Sequence, residues 1–295
     1  MNPREQGFLL LTSHLGDPER KVLSVAQLRT LANRVRSAAS PSHAGDVTVK
    51  TLTSMGYDNA MAQRITALLA DTEQLQWYLN KGATFDCYPL SRVGEGYPQR
   101  LRLRLGLVSP GCLWAKGDPQ LLLKPAVALV GSRDLEDENL EFARQVGCQA
   151  ALQGYVLVSG NARGADRAAQ EAALEAGGQV ISVVADKLQS CPLQRNVLYL
   201  SEDGFDMGFS AQRALSRNRV IHALADAVLI AQCANGTGGT WDGTVRNLRH
   251  GWSPVYFFDD DSDGARALEQ MGAVSVQKQD LVDLEGLAAN KTRLF

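Results

Sequence analysis

Two short apolar runs, each followed by a glycine-containing loop, restrict the fold of this chain more than any other feature of its sequence. The first run, at 126–130, ends in GSR at 131–133, and the second, at 155–158, ends in SGNARGAD at 159–166. An amphipathic segment separates the two. Apolar runs of this length joined by a helical segment predict parallel strands of a β–α–β unit. The loops after such strands meet at one edge of the sheet, where these folds bind ligands.

The residue types in the two loops favour a ligand that carries phosphate. Glycine lets the backbone approach an anion, the N-terminus of the following helix offers free N–H groups, and arginine adds a planar cation. A third loop, NGTGGT at 235–240, lies between another apolar run and another helical pattern. A glycine-rich turn at a helix N-terminus also suits a phosphate. The sequence therefore predicts a phosphate site to which these loops contribute.

The rest of the C-terminal part continues the alternation of strand and helix. Apolar runs at 179–184, 226–231 and 254–258 alternate with helical patterns at 164–178, 210–224 and 241–250. Two further helices are predicted at 265–272 and 281–289, whereas 186–208 shows no regular pattern. This predicts an α/β domain with a parallel sheet flanked by helices, over residues 81–295.

Residues 1–80 predict a separate, small helical domain. A helix begins at Phe8, Ser24 can cap the next helix, and 37–46 is a polar loop with proline and glycine. Two short helices surround Met55-Gly56-Tyr57, which is typical of a helix-hairpin-helix that can hold a DNA phosphate. The alternative is a helical bundle used only for packing or partner contact.

Residues 81–125 form a bridge between the two parts. We expect an edge strand at 83–88 and a short strand at 112–117. In QRLRLRLG, the residues Arg100, Arg102 and Arg104 alternate with leucine, so in a strand they would share one face. Two interpretations are open: a polyanion contact, or a solvated edge strand protected by charge.

The composition restricts the class of protein. The net charge is −2, so any polyanion site must be a local patch. The five cysteines are widely spaced and form no CxxC pair, which favours free thiols over a disulfide framework or a zinc site. The acidic stretch at 259–263 is interpreted as a solvated turn. We find no signal peptide and no membrane-spanning run, and therefore expect a cytoplasmic protein without metal or cofactor.

Several motifs in register resemble one family. The order GSR, SGNARGAD, SRNRVIHALADAVLIA and GTGGT, together with the bridge GEGYPQRLRLRLGLVSPGCLWAKGD, is similar to the DNA-processing protein A (DprA, also called Smf) family. The resemblance covers about 75–275, and the N-terminal helices are similar to the family's sterile-alpha-motif (SAM)-like extension. Ordered motifs carry more weight than a single glycine-rich loop.

The resemblance implies an extended Rossmann-like domain that binds single-stranded DNA, without catalysis. It also implies protection of incoming DNA in natural transformation, loading of RecA and a homodimer. The residues expected to contact DNA or line its site are Gly131, Ser132, Arg133, Ser159, Gly160, Arg163, Gly164, Arg217, Asn218, Arg219, Gly236, Thr237, Gly238, Gly239 and Thr240. Asp166 is expected to cap a helix or to orient an arginine.

The chain departs from the family in three places. The third loop is GTGGTWD where the family often has SGS-x-x-T-A, and Cys191-Pro192 stands where the family has Tyr-Pro. We also expect the winged-helix domain of many members to be absent, because only about twenty residues follow the last strand–helix element.

Two rival functions use the same loops. The cytokinin-activating phosphoribohydrolases (the LOG family) also have a GG-x-GT loop, followed by a glutamate for which Asp242 could stand in. Cleavage of an N-glycosidic bond needs such a carboxylate. The second rival is a sensor of a nucleotide-derived ligand. The order of the other motifs favours the DNA-binding interpretation over both.

Overall fold

A computed structural model describes residues 1–38 and 47–289 of the chain. Its centre is a nine-stranded sheet with the strand order β1-β2-β6-β5-β4-β3-β7-β8-β9. The strands are β1 Tyr88–Ser91, β2 Cys112–Lys116, β3 Ala126–Val130, β4 Val156–Ser159, β5 Gln179–Val183, β6 Val197–Ser201, β7 Ala227–Ile230, β8 Val255–Phe258 and β9 Val274–Val276. β2 pairs antiparallel with β1 and β6, and all other pairs are parallel. The predicted α/β fold is confirmed.

The strand order reverses between β3 and β7. From β3 the chain winds through β4, β5 and β6 to one side, and β7, β8 and β9 then extend the sheet on the other side. β3 pairs with β4 through Val127↔Leu157 and with β7 through Val127↔Ala227. Loops at such a reversal diverge to opposite faces of the sheet and leave a crevice between them. This crevice is the expected place of a ligand.

The described residues form twelve α-helices. They are α1 Pro3–Thr12, α2 Val25–Ser37, α3 Val49–Ser54, α4 Asn59–Ala70, α5 Thr72–Ala83, α6 Gln99–Leu105, α7 Asp137–Leu152, α8 Ala165–Glu175, α9 Ala211–Leu224, α10 Gly239–His250, α11 Asp263–Gln270 and α12 Leu284–Ala289. None of them is long and apolar enough to cross a membrane.

Both faces of the sheet are buried. Along β3, Val127 and Leu129 pack in one cluster with α7 and α8, whereas Ala128 and Val130 pack in a second cluster with α6 and α9. Strands covered on both faces are apolar throughout, so the apolar runs in the sequence were sufficient to predict these strands.

The N-terminal helices have a core of their own and also contact the sheet domain. Leu31, Leu52 and Ile65 belong to a separate apolar cluster, whereas Leu9 and Tyr78 join the cluster on the sheet. The predicted cap is confirmed, because the Ser24 side chain accepts a hydrogen bond from the Gln27 N–H. Most of the predicted polar loop at 37–46 lies outside the described residues.

The arginine-rich bridge is a helix, and the predicted strand is wrong. Leu101 and Leu105, four residues apart, are buried in α6, whereas Leu103 is exposed. Arg100 donates to the carbonyl oxygen of Leu224 at 3.1 Å, and Arg104 to that of Ala223 at 3.1 Å. These arginines therefore hold the C-terminal end of α9, where unpaired carbonyl groups attract cations.

Two other strand predictions need correction. The edge strand expected at 83–88 lies at Tyr88–Ser91, because α5 extends to Ala83. β6 lies inside the stretch 186–208, for which no element was predicted. It is fully buried between β5 and β2.

Candidate functional site at the carboxyl edge of the sheet

The loops after β3, β4 and β7 meet at the point where the strand order reverses. The Ser132 N–H donates to the carbonyl oxygen of Gln232 at 3.0 Å, and the Thr240 hydroxyl donates to that of Gly131 at 3.0 Å. The Ala165 N–H donates to the carbonyl oxygen of Ser132 at 3.2 Å. Hydrogen bonds of this kind fix the relative positions of the three loops, as the sequence predicted.

Two glycines make this packing possible. A Cβ at Gly164 would lie 2.4 Å from the carbonyl oxygen of Arg133, and its backbone has a φ of +87°. A Cβ at Gly160 would lie 1.3 Å from Nη1 of Arg217. Gly164 therefore allows the first two loops to touch, and Gly160 leaves room for a guanidinium group over the second loop.

Arg217 and Asp166 form a buried pair at the centre of the site. Arg217, on α9, is 8% exposed, and its Nη2 lies 3.8 Å from Oδ2 of Asp166, at the start of α8. Asp166 also accepts from the Ala162 N–H at 3.3 Å. Burial raises the pKa of Asp166 and lowers the pKa of Arg217, and the attraction between the two groups opposes both shifts. Of the two roles expected for Asp166, the structure shows the pairing with an arginine, whereas α8 has no side-chain cap.

The first of two cavities is strongly cationic. It has a volume of about 720 Å³ and lies beside the loop after β4 and the segment after β5. One carboxylate, Asp186, lines it. The basic residues that line it are Arg133, Arg163, Arg167, Lys187 and Arg217. This local excess of positive charge exists although the whole chain carries −2, so the cavity attracts anions.

The cations of this cavity differ in how firmly they are held. Within the described part of the chain, Arg133 is exposed and has no carboxylate within ion-pair distance. Arg163 pairs with Asp134 at 2.7 Å, but both side chains are mostly exposed. Such a surface ion pair contributes little stability, so a phosphate can displace the aspartate.

The second cavity, of about 650 Å³, is lined by all three loops and by the start of α10. Gly238 lines the cavity and precedes α10 without giving it a side-chain cap, so the first N–H groups of the helix are available to an anion there. The Asn218 side chain donates to the carbonyl oxygen of Gly239 at 2.8 Å and holds this turn against α9. Burial lowers the pKa of His222, which also lines this cavity, to about 3, so its ring is neutral.

The two cavities adjoin and form one groove. Both are lined by the same central residues, which are Arg133, Ala162, Phe209, Ala214 and Arg217. The groove therefore runs from the loop after β5, past the buried arginine, to the N-terminus of α10. We call it the switch-point groove.

Most residues predicted for the site line the switch-point groove. These are Gly131, Ser132, Arg133, Gly160, Arg163, Arg217, Asn218, Thr237, Gly238, Gly239 and Thr240. The residues that line neither cavity are Ser159, Gly164, Gly236 and Arg219. Ser159 is fully buried at the end of β4, and Gly164 supports the loop contact described above.

Arg219 is the clearest departure from the predicted site. It pairs with Glu202 at 2.8 Å and borders a different cavity, next to Trp114 and His14. Successive residues of a helix rotate by about 100°, so two residues that are two positions apart point roughly 200° apart. Arg217 and Arg219 therefore cannot both face the groove.

Arg167, Lys187 and Phe209 are among the groove residues that the sequence did not predict. Arg167 lies in the first turn of α8, and Lys187 follows β5. Lys187 could have been found by applying to β5 the rule used for the other strands, that ligand groups follow the carboxyl end. Phe209 precedes α9 in an irregular segment and belongs to none of the motifs, so no signal in the sequence indicated it.

Asp242, the carboxylate of the hydrolase interpretation, lies outside the residues that line the groove. Its Oδ2 is 3.2 Å from Nε of Arg246, one turn further along α10. Within residues 1–38 and 47–289, no three His, Cys, Asp or Glu side chains are grouped to hold a metal ion. The groove itself presents arginine and lysine side chains and the N-terminus of α10, groups that suit an anion.

A doubly wound sheet with a cationic groove at its switch point places the protein in the class of Rossmann-like α/β folds, with a site whose charge suits an anionic ligand. Comparison with known proteins narrows this class. The family model described as DNA recombination-mediator protein A matches residues 90–284. The chain therefore belongs to this family, as the motifs indicated.

Individual relatives agree with the family. The chain is 31% identical over 201 residues to the DNA processing protein DprA of Streptococcus pneumoniae, a match that covers 64% of this chain and 67% of that protein. The crystal structure of DprA from the same species has a TM-score of 0.67 at 24% identity and covers 90% of this chain and 98% of that one. DNA processing protein A of Helicobacter pylori, whose structure concerns single-stranded DNA binding, has a TM-score of 0.57 at 25% identity. It covers 68% of this chain and 96% of that one.

Proposed function

We propose that the chain binds single-stranded DNA in the switch-point groove, as a DprA-type protein of DNA recombination. The observation that carries the proposal is the concentration of cations in the groove of a chain with a net charge of −2. Single strands are held by a positive groove that follows the backbone, with little readout of base edges. The single-stranded DNA binding of the Helicobacter pylori relative supports the same ligand.

The shape of the groove favours a single strand over a duplex. The buried Arg217 lies inside it, and the N-terminus of α10 lines its other part. A flexible strand can place a phosphate against both groups, whereas the phosphates of a duplex lie on the surface of a stiff cylinder.

The proposal is one of binding, without catalysis. Asp242 is engaged with Arg246 and stands outside the groove lining, which supports binding over cleavage of a nucleotide. From the family we add the finer parts of the proposal. The chain works in the cytoplasm, protects incoming DNA during natural transformation, delivers the strand to RecA and forms a homodimer.

The proposal is tested by the anisotropy of a fluorescent single-stranded oligonucleotide across a salt series. The wild type is compared with Arg133→Ala and with the double variant Arg133→Ala plus Arg163→Ala. Each lost phosphate contact should reduce the slope of log K against log salt by about 0.7. Arg246→Ala is the matched control, because Arg246 is exposed but lies outside the groove lining.

Two results would overturn the proposal. One is absence of binding by the wild type at low salt. The other is a loss of affinity in Arg246→Ala as large as that in the groove variants, which would show that binding depends on general charge. Turnover of a nucleoside monophosphate that Asp242→Asn abolishes would instead establish the hydrolase function.

A further inference from the structure

We propose that Phe209 is a stacking platform for a nucleobase in the middle of the switch-point groove, an inference that rests on the proposed function. Phe209 is 57% exposed and is among the residues that line both cavities. A single exposed aromatic residue on a protein surface is ordinary. The position of this one, beside the cations Arg133 and Arg217, is what suggests a ligand contact.

The Phe209 ring is free to receive a base. Across the described residues, no other aromatic ring stacks on it and no cation lies over it, whereas Tyr78, Trp114 and Phe205 pack against each other in the core. A ring with an open face beside phosphate-binding groups has the arrangement that single-strand binders use. Every base has a π-face, so such a contact accepts any sequence.

The segment that carries Phe209 is rigidly held. Arg213, in the first turn of α9, donates from Nη1 to the carbonyl oxygens of Met207 at 2.8 Å, Gly208 at 2.7 Å and Ala185 at 2.9 Å. Ser210 follows Phe209 directly and caps α9 by accepting from the Arg213 N–H at 3.1 Å. The ring is therefore placed before any ligand arrives, which lowers the entropy that binding would otherwise cost.

The same anchoring argues against a purely structural role for the ring. The hydrogen bonds of Arg213 and Ser210 engage backbone groups and leave the Phe209 side chain outside the apolar clusters of the core. Removing the ring should therefore leave the fold intact and change only what the groove binds.

The arrangement places a base between two phosphate-binding regions. The first cavity offers the free guanidinium of Arg133, and the second offers the N-terminus of α10. Each cavity is large enough for a nucleotide. A base stacked on Phe209 would thus belong to a strand whose phosphates on either side meet these two regions.

The experiment compares Phe209→Ala, Phe209→Trp and Trp77→Ala with the wild type, on a single-stranded oligonucleotide and on an abasic strand of equal length. Trp77 is an aromatic control of similar exposure that lies outside the groove lining. Phe209→Ala should weaken binding of the normal strand about tenfold, because stacking on an aromatic residue contributes a factor of roughly 5 to 150 per base. The salt slope should stay unchanged, since no phosphate contact is lost.

The remaining variants separate stacking on residue 209 from the general effect of an exposed aromatic ring. Phe209→Trp should bind the normal strand at least as tightly as the wild type, and its additional tryptophan fluorescence should be quenched by the strand. Trp77→Ala should bind like the wild type. On the abasic strand, the wild type and Phe209→Ala should bind equally.

Failure of this inference is distinct from failure of the proposed function. If the wild type binds the normal strand and Phe209→Ala binds it equally well, Phe209 is no platform although the groove binds DNA. If Phe209→Ala lost as much affinity for the abasic strand as for the normal strand, the loss could not come from stacking on a base, and the inference would also be wrong. If the wild type binds neither strand at low salt, the proposed function itself is wrong.

Discussion

At the scale of single residues, the site depends on Arg217. Its guanidinium is buried, packs over Gly160 and pairs with Asp166, so it is held in place before a ligand binds. A buried arginine of this kind offers its donors without the loss of side-chain freedom that an exposed one would suffer. Arg133, by contrast, is exposed and has no carboxylate partner among the residues that the structure describes.

The substitution Gly160→Ala tests this role of Arg217. The new methyl group would lie 1.3 Å from Nη1, so the guanidinium must move and leave Asp166. We expect single-stranded DNA affinity to fall at least tenfold and the free energy of unfolding to fall by about 1–3 kcal/mol. Anisotropy and urea denaturation measure the two effects.

Gly208→Ala is the control for that experiment. A Cβ at Gly208 meets no atom within 4 Å, so both affinity and stability should stay close to the wild type. Wild-type affinity in Gly160→Ala would show that the position of Arg217 does not matter for binding.

At the scale of elements, α6 stabilises the C-terminal end of α9. Arg100 and Arg104 donate to the carbonyl groups at the end of α9 and pair with Asp226 at 3.2 and 3.7 Å. Since α9 carries Arg217, Asn218 and Arg213, these contacts stabilise the element that forms one wall of the groove.

Replacing Arg100 and Arg104 together by alanine should therefore lower stability without changing the electrostatics of DNA binding. We expect the free energy of unfolding to fall by about 1–3 kcal/mol, because hydrogen bonds to carbonyl groups and a partly buried ion pair are lost. The salt slope of oligonucleotide binding should equal that of the wild type. A reduced slope would instead assign these arginines to the DNA contact.

Because His222, in the last turn of α9, is buried, we predict that the stability of the fold depends on pH. His222 is 1% exposed, its Nδ1 lies 3.1 Å from Nδ2 of Asn247, and burial together with the charge of Arg217 lowers its pKa to about 3 from 6.5. Because the pKa of His222 is lower in the folded chain, the unfolded chain binds a proton at a higher pH than the folded chain does as the pH falls. Stability from this group is complete above pH 6.5 and declines as the pH falls toward 3.

The expected loss between pH 7.5 and pH 5.0 is about 2 kcal/mol from His222 alone. Urea denaturation of the wild type and of His222→Gln at the two pH values isolates this contribution. The wild type should lose about 2 kcal/mol more than the variant over this interval. Equal losses would show that His222 is already protonated in the folded state or is not buried.

At the scale of the whole molecule, the parallel strands β3, β4, β5, β7 and β8 and the loops after them were predictable from local sequence patterns, whereas β6 and β9 were not. Strands covered on both faces are apolar throughout, and the loops after β3, β4 and β7 carry glycines that their contacts require. Gly164 is an example, since its φ of +87° and its contact with Arg133 exclude a side chain.

The sequence does not decide between two structures where one pattern of residues fits both. The run LRLRL satisfies the period of a strand, yet Leu101 and Leu105 also fit one face of a helix, and packing against α9 decides for the helix. Arg219 belongs to the same RNR motif as Arg217, but the rotation of the helix turns it away from the groove and toward Glu202. Phe209 lies in a segment shaped by Arg213, a contact that sequence alone does not show.

The most direct test of the account is to map where single-stranded DNA touches the chain. An oligonucleotide that carries 5-iodouracil is bound at low salt and irradiated, and the cross-linked peptides are identified by mass spectrometry. We predict cross-links in the loop at 131–134, the loop at 160–167 and the segment 209–217, with Phe209 prominent. Cross-links confined to the N-terminal helices or to α6 would contradict the assignment of the switch-point groove as the DNA site.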